Sequence, residues 1–443
     1  MQSMKTIEAY ESQVRGYCRQ FPAMFDTAKG SYMFTSNGER YIDFFAGAGA
    51  LNYGHNNTQI QSAVTDYLNH DGIVHSLDMA TETKSKFIER FQSDILQPRS
   101  LKYKIQFPGP TGTNAIEAAI KLARKVTGRQ GVVAFTNAFH GMTLGSLALT
   151  ANLAKRAGAG VALNNVIRMP FDGFMKGWDN SIAYLEKMLI DSGSGIDLPA
   201  AIVVETVQAE GGINCASKKW LQKLVALASR LGILLIVDDI QTGCGRTGKF
   251  FSFEEAGIRP DMVCLSKSIS GIGLPLSLVL IHPNHDIWNP GEHNGTFRGQ
   301  NLSFVAATEA LSFWSDDQFS NQTLRKGKIV NSFLKELVLR HSQDEYWQVR
   351  GRGLIQGLDL GQCGLGATVS REAFSRGLII ESCGATDCVV KLLPPLTISD
   401  SELEAGLDIL QKSILTVCRS RSTTSYLPIN AQNQRVDGIA NRS

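Results

Sequence analysis

Most features that would place this chain in a special class are scarce or missing. Charge of one sign is absent: 44 Lys and Arg face 41 Asp and Glu over 443 residues, leaving +3. That balance gives no electrostatic case for a nucleic-acid partner. No apolar run approaches the roughly 18 residues that a membrane span needs, so no membrane partner is expected. Residues 1–21 are charged throughout and have no apolar core of a secretion signal. The eight cysteines are scattered without CxxC spacing, and the one near cluster, Cys383 and Cys388, has no histidine beside it. Neither a structural metal nor a disulfide framework is expected, and reduced thiols in a cytoplasmic compartment are. No repeat of solenoid period is visible. Proline is sparse at 13, whereas glycine reaches 42, which suits tight turns and close approach of backbone to a ligand.

What is present is core. Hydrophobic residues make up 43% and charged residues 19%, which excludes wholesale disorder. The length suggests two or three domains at about 150 residues each, or one large α/β unit. A short helix and then a strand pair are expected first, the pair flanking the turn Ser36-Asn37-Gly38. Phe45-Ala46-Gly47-Ala48-Gly49-Ala50 reads as a small-residue loop. Short runs apolar on both faces, at 132–135, 201–205, 234–238, 262–266 and 276–281, alternate with helical patterns such as 218–231. That alternation predicts a mostly parallel sheet covered by helices on both sides. From about Leu302 the texture changes to two long helical patterns and a smaller α/β section. The tail from Arg419 is polar and is expected to be mobile.

Chemistry gathers at strand ends. The run Leu234 to Val237 leads straight into Asp238 and Asp239, and Met262 to Leu265 leads into Ser266 and Lys267. Ligands of open α/β sheets collect at the carboxyl ends of strands, so Asp238 and Lys267 can face one crevice. A buried ion pair explains the same two residues. Gly109-Pro110-Thr111-Gly112-Thr113-Asn114-Ala115 opens a helix, whose N–H groups and dipole suit a phosphate, although ordinary capping has the same look. It lacks the GxxxxGK[ST] pattern of a nucleoside triphosphate loop. Phe139, with His140 and Gly141, follows the strand at 132–135 and is either a stacking ring or core. Together, a phosphate seat, an aromatic ring, an aspartate and a lysine are what pyridoxal 5′-phosphate needs. The lysine forms a Schiff base, and the aspartate keeps the pyridine nitrogen protonated. A carboxylate about 4 Å from that cation is worth roughly 4 kcal/mol at an effective dielectric near 20, enough to hold the proton at neutral pH.

The ordered set Thr-Gly-Thr-Asn-Ala (111–115), Phe-His-Gly (139–141), Val-Glu-Thr-Val-Gln-Ala-Glu-Gly-Gly (204–212), Val-Asp-Asp-Ile-Gln-Thr-Gly-Cys-Gly-Arg-Thr-Gly (237–248), Leu-Ser-Lys (265–267) and Gly-Thr-Phe (295–297) resembles the class III, ω-type aminotransferases of fold type I. The resemblance runs from about Phe21 to Val417. It implies an α/β fold: a large domain with a mostly parallel sheet between helices, and a smaller α/β domain built from both chain ends. The expected division is 1–56 and 310–418 for the small domain, 57–309 for the large one, and 419–443 for the tail. Within the family the likeness is strongest to members that move the amino group of L-glutamate onto L-aspartate 4-semialdehyde at the start of ectoine synthesis, giving L-2,4-diaminobutyrate and 2-oxoglutarate. Other acceptors (ornithine, 4-aminobutyrate, lysine, secondary-metabolite aldehydes) and racemase or aminomutase chemistry are the alternatives on the same scaffold.

The resemblance also assigns roles. Lys267 carries the cofactor and shuttles the proton, Asp238 pairs with the ring nitrogen, and Glu205 supports the Asp238 side. Gln241 lies near the phenolic oxygen, Ile240 and Phe139 cover the two ring faces with His140 beside them, and Gly112 and Thr113 hold the phosphate. Thr296 reaches the phosphate of a neighbouring subunit, which implies a homodimer or larger homo-oligomer with shared sites. Two departures stand out. Lys391 replaces the arginine that many relatives use for the donor's α-carboxylate, and Met142 replaces an arginine of the γ-aminobutyrate type. Lysine lacks arginine's two-pronged geometry. Glu210 occupies the place of a gating glutamate, so a Glu210–Lys391 gate is expected, with two solvated surface charges as the alternative.

Overall fold

The structure, a computed structural model, describes residues 2–175, 180–341 and 346–424. Two short helices, Gln2–Tyr10 and Tyr17–Gln20, precede three antiparallel strands, β1 (Phe25–Lys29), β2 (Tyr32–Thr35) and β3 (Arg40–Asp43). The turn between β2 and β3 is closed by Gly38 N–H, which donates to Thr35 O at 2.9 Å, with Gly38 at φ +83°. Sequence reading anticipated β2 and β3 but missed β1, whose Phe-Asp-Thr-Ala-Lys pattern is mostly exposed and lacks a clean alternation. The 45–50 loop contains a single turn, Ala46–Gly49, with Gly47 and Ala48 in the left-handed region.

The central sheet is built from β4 (Lys104–Gln106), β5 (Val132–Phe135), β6 (Val166–Met169), β7 (Ala201–Val204), β10 (Leu234–Asp238), β11 (Met262–Leu265) and β12 (Leu278–Ile281). A small hairpin, β8 (Val207–Gln208) with β9 (Asn214–Cys215), interrupts the run. The spatial order is β4-β12-β11-β10-β7-β5-β6, with β12 antiparallel to both neighbours and the remaining pairs parallel. Strands β5, β7, β10, β11 and β12 are buried at every position, because helices cover both faces. Helix Lys218–Leu231 shows why: its buried residues Trp220, Leu221, Leu224, Leu227 and Ala228 recur at helical spacing and pack with Val237 and Phe135 in one apolar cluster. Helix Gly112–Thr127 buries Ile116, Ala119, Ile120 and Ala123 in the cluster on the other side.

Beyond helices Asn301–Leu311 and Gln318–Arg340 comes a four-stranded sheet. Its strands are β13 (Gln348–Arg352), β14 (Ile355–Asp359), β16 (Glu381–Cys383) and β17 (Val389–Leu392), in the order β13-β14-β17-β16. Strand β15 (Leu378–Ile379) pairs parallel with β3 and completes a separate sheet, β1-β2-β3-β15, that joins the two ends of the chain. Ile42 and Phe44 accordingly enter the same apolar cluster as Val390, Leu392 and Leu407. The last helix, Asp400–Thr424, continues past Arg419, where the sequence suggested that the tail begins. The rest of that tail, 425–443, lies outside the described residues.

Arg246 ties the two sheets together. It is wholly buried and donates to Leu354 O (3.0 Å), Pro394 O (2.5 Å) and Asn52 Oδ1 (2.5 Å). Burial pushes its pKa down to about 9, which leaves it cationic at neutral pH. Removing a buried donor strands its acceptors away from water. Arg246→Met should therefore lower unfolding stability by about 3 kcal/mol or more. Urea melts of parent and variant check this, and superimposable curves would contradict it.

Candidate active site

Parallel pairing sets the geometry. Asp238, the last residue of β10, stands opposite Cys264 of β11, so the chain leaving β11 brings Lys267 to the same carboxyl edge. Lys267 opens the single turn Lys267–Ser270 with φ +53°, a left-handed conformation that a lysine adopts at a cost of roughly 1 kcal/mol or more. The turn is braced from residues 49–52: Ser268 Oγ donates to Gly49 O at 2.7 Å and accepts from Asn52 N–H at 3.1 Å. Burial lowers the lysine's pKa below its usual range, although Glu210 partly opposes the shift.

Asp238, Glu205, Phe139 and Lys267 share a cavity of about 160 Å³. His140 braces Asp238, with Nδ1 2.7 Å from Oδ2, and Ile240 N–H donates to Oδ1 at 3.2 Å. Both Asp238 and His140 are buried, and His140 Nε2 has no hydrogen-bond partner among the described residues. Glu205 makes no hydrogen bond to Asp238; it accepts from Phe139 N–H at 3.0 Å and so orients the aromatic segment. Burial, and after it the charge of Asp238, raise the Glu205 pKa well above the usual carboxylate range.

At the cavity mouth, helix Gly112–Thr127 begins with Asn114 reaching back: its Oδ1 accepts from Thr111 N–H (3.1 Å) and Thr111 Oγ1 (2.8 Å). The first-turn N–H groups of Gly112 and Thr113 have no intrahelical acceptor. A Cβ on Gly112 would come within 2.9 Å of Ile240 Cδ1, so glycine keeps this seat open against the residue that forms one cavity wall. Gly49 similarly lets Gln241 approach, since a Cβ there would lie 3.2 Å from Gln241 Cγ. An anion seat at a helix start, a braced aspartate and a strained, buried lysine around one slot fit a phosphorylated aromatic aldehyde.

Glu210, which lines the cavity, belongs to an ionic cluster. Lys391, on β17, is completely buried; its Nζ donates to Glu210 Oε1 at 2.6 Å. It also lies 2.5 Å from Glu381 Oε1 of β16. Burial works against the charge of Lys391, yet the two carboxylates outweigh it and its pKa is raised. Burial opposes ionisation of Glu210 as well, but Lys391 and Lys267 outweigh that and hold it down at about 2. Glu381 is pushed up to about 6, by burial first. Gln241 Nε2 donates to Ala48 O (3.0 Å) and Glu210 Oε1 (3.2 Å), while its Oε1 is buried without a partner among the described residues.

Of the residues singled out from sequence, Gly112, Thr113, Phe139, His140, Glu205, Glu210, Asp238, Ile240, Gln241 and Lys267 line this one cavity. Lys391 reaches it through Glu210. With Lys391 buried, two solvated surface charges no longer describe that pair. Thr296 lies elsewhere: it is exposed, in the turn Thr296–Arg298, and its carbonyl faces His75 Nε2 at 2.8 Å. Sequence reasoning missed Glu381, because its partnership with Lys391 arises from cross-strand register and leaves no spacing signal along the chain. Among the described residues there is no group of His, Cys, Asp and Glu placed to hold a metal ion, and no helix long and apolar enough to cross a membrane.

Comparison with known proteins gives a consistent result. The model of the family Aminotransferase class-III matches residues 15–414. The chain is 54% identical over 418 residues to a diaminobutyrate–2-oxoglutarate transaminase of Halalkalibacterium halodurans, spanning 94% of this chain and 98% of that protein. It is 55% identical over 412 residues to the protein of the same name from Nocardia farcinica, covering 93% and 94% of the two chains. Among solved structures, the ornithine aminotransferase of Toxoplasma gondii superposes with a TM-score of 0.82 at 24% identity, covering 95% of this chain and 96% of that one. An S-selective transaminase of Bacillus megaterium gives 0.83 at 21% identity, covering 94% and 98%. The fold, the set of residues around the cavity and these full-length matches agree: the chain belongs to the class III aminotransferases, which depend on pyridoxal phosphate.

Proposed function

We propose that this transaminase moves the amino group of L-glutamate onto L-aspartate 4-semialdehyde, forming L-2,4-diaminobutyrate and 2-oxoglutarate. Identity of 54–55% over nearly the whole chain to proteins named diaminobutyrate–2-oxoglutarate transaminase carries the substrate assignment. The cavity supports the chemistry. Pyridoxal phosphate, when bound, supplies a carbonyl that accepts and releases the amino group and a ring that takes up electrons from the substrate carbon. Gly112 and Thr113 would hold its phosphate with N–H groups at the helix start, and Phe139 and Ile240 would flank its ring.

Asp238, fixed by His140, would keep a proton on the ring nitrogen. Glu205, whose pKa burial raises, accepts the Phe139 N–H and holds that backbone in place. Lys267 Nζ would be the proton carrier: burial lowers its basicity, so it could take the α-proton of glutamate and deliver it to the cofactor carbon that holds the transferred amino group. Lys391 receives the α-carboxylate of glutamate when Glu210 swings aside, and Glu210 re-pairs with Lys391 when the reacting carbon of the second substrate bears no carboxylate. Thr296, exposed beside Phe297, completes the phosphate site of a second copy of the chain. Exposed Ile73, Leu77, Met79 and Phe297 around it supply apolar surface for that contact. Cytoplasmic residence fits the eight free thiols.

With glutamate as donor, aspartate semialdehyde should give at least tenfold higher kcat/KM than the semialdehydes of ornithine or 4-aminobutyrate, about 1.4 kcal/mol of discrimination. Assaying 2-oxoglutarate release with glutamate dehydrogenase decides this, and preference for another acceptor, or turnover without release, overturns it. Gly112→Ala should weaken cofactor binding about tenfold or more, since its methyl meets Ile240 in the phosphate seat. Equilibrium dialysis against pyridoxal phosphate reads the constant, and parent-like affinity would contradict the assigned seat.

A further inference from the structure

Lys391 does not face one carboxylate, as a simple gate requires; it faces two, and they are held differently. Glu381 stands directly across from Lys391 in the β16–β17 register, so the pair belongs to one sheet. Its side chain is 5% exposed and that of Lys391 is 0%. Glu210 comes from the segment after β7. Its carbonyl is fastened by Gly384 N–H at 2.9 Å, but its side chain is 22% exposed and lines the cavity. Rotation of Glu210 therefore leaves Lys391 paired with Glu381, whereas Glu381 has no comparable freedom. The charge of Glu381 is directed at Lys391, whose Nζ lies 2.5 Å from its Oε1.

We propose that Glu381 sets substrate specificity by acting as the permanent counter-ion of Lys391, weakening the grip of Lys391 on an incoming carboxylate. The inference rests on the reading of Lys391 as the donor's carboxylate site. With Glu210 in place, the trio of one lysine and two carboxylates carries a net negative charge. With Glu210 rotated out it is neutral rather than cationic. A glutamate carboxylate then binds through Lys391 hydrogen bonds against the repulsion of Glu381, loosely enough to leave after its half-reaction. An enzyme that must alternate between a substrate with a carboxylate on the reacting carbon and one without it gains from this tempering, since a lone buried lysine would trap the first substrate. Glu381 touches no reacting atom; it is a positioning residue that works through Lys391.

The test uses the cofactor-loaded enzyme and glutarate, an unreactive dicarboxylate, titrated by calorimetry into parent, Glu381→Gln, Glu381→Asp and Lys391→Gln proteins. Removing the repelling charge should tighten glutarate about fivefold or more in Glu381→Gln. The KM for glutamate should fall alongside it, kcat should fall as product release slows, and the KM for diaminobutyrate should stay within about twofold of parent. Glu381→Asp, with its charge drawn back from Lys391, should tighten glutarate less, and it carries the test if the Gln variant does not fold. Unchanged or weaker glutarate binding in the folded Glu381 variants, with binding lost in Lys391→Gln, overturns the role of Glu381 and leaves the donor site standing. Undiminished binding in Lys391→Gln overturns the donor site itself.

Discussion

Parallel pairing of β10 with β11 is the constraint on which the site depends. With Asp238 opposite Cys264, both strands end at one edge of the sheet, and the next few residues of each chain have nowhere to go but across the same crevice. Strand β7, paired with β10 on the other side, delivers Glu205 one residue beyond its own end, and β5 delivers Phe139 and His140 four and five residues beyond. Four strands, each buried at every position, thus bring an aspartate, a lysine amine, an aromatic ring and a buried glutamate to one edge of the sheet. A one-residue slip in any pair would turn those side chains into the apolar layers, where an unpaired charge is costly.

Burial then assigns charge. Lys267 is drawn toward neutrality, the Glu205 carboxyl is pushed toward its protonated form, and Asp238 has a histidine fixed against it. In the ionic cluster, Lys391 stays charged because two carboxylates outweigh its desolvation. The contrast between two buried lysines in one region explains their different uses. Without a carboxylate at bonding distance, one suits the proposed proton carrier; clamped by two, the other suits the proposed anion-recognising cation.

Much of this was legible in sequence because it depends on local order along the chain. Fully apolar runs that end in Asp or Lys announce buried parallel strands and their active edges, and Gly112-Thr113 before a helical pattern announces an anion seat. Glu210 was placed by counting from Val204, and its partner Lys391 by the Pro-Pro-Leu stretch that follows. What stayed hidden is set by tertiary register or by weak local pattern. Glu381 meets Lys391 across a sheet formed by strands whose separation in sequence carries no pairing code. Strand β1 is too exposed to show a buried face. The left-handed backbone of Lys267 comes from packing by Ser268 and Gly49, since lysine has no preference for it. Arg246 sits within a stretch that reads as a glycine-rich turn, yet it joins two layers because Asn52, Leu354 and Pro394 converge on it only in the folded chain.

The central claim is that Lys267 is the amine that holds the cofactor and handles the proton. The most direct measurement is to load the purified chain with pyridoxal phosphate, reduce it with borohydride, digest it and locate the pyridoxyl group by mass spectrometry. The pyridoxyl group is expected on the peptide containing Leu265-Ser266-Lys267. A label on Lys391 or any other lysine, with Lys267 unmodified, would contradict it.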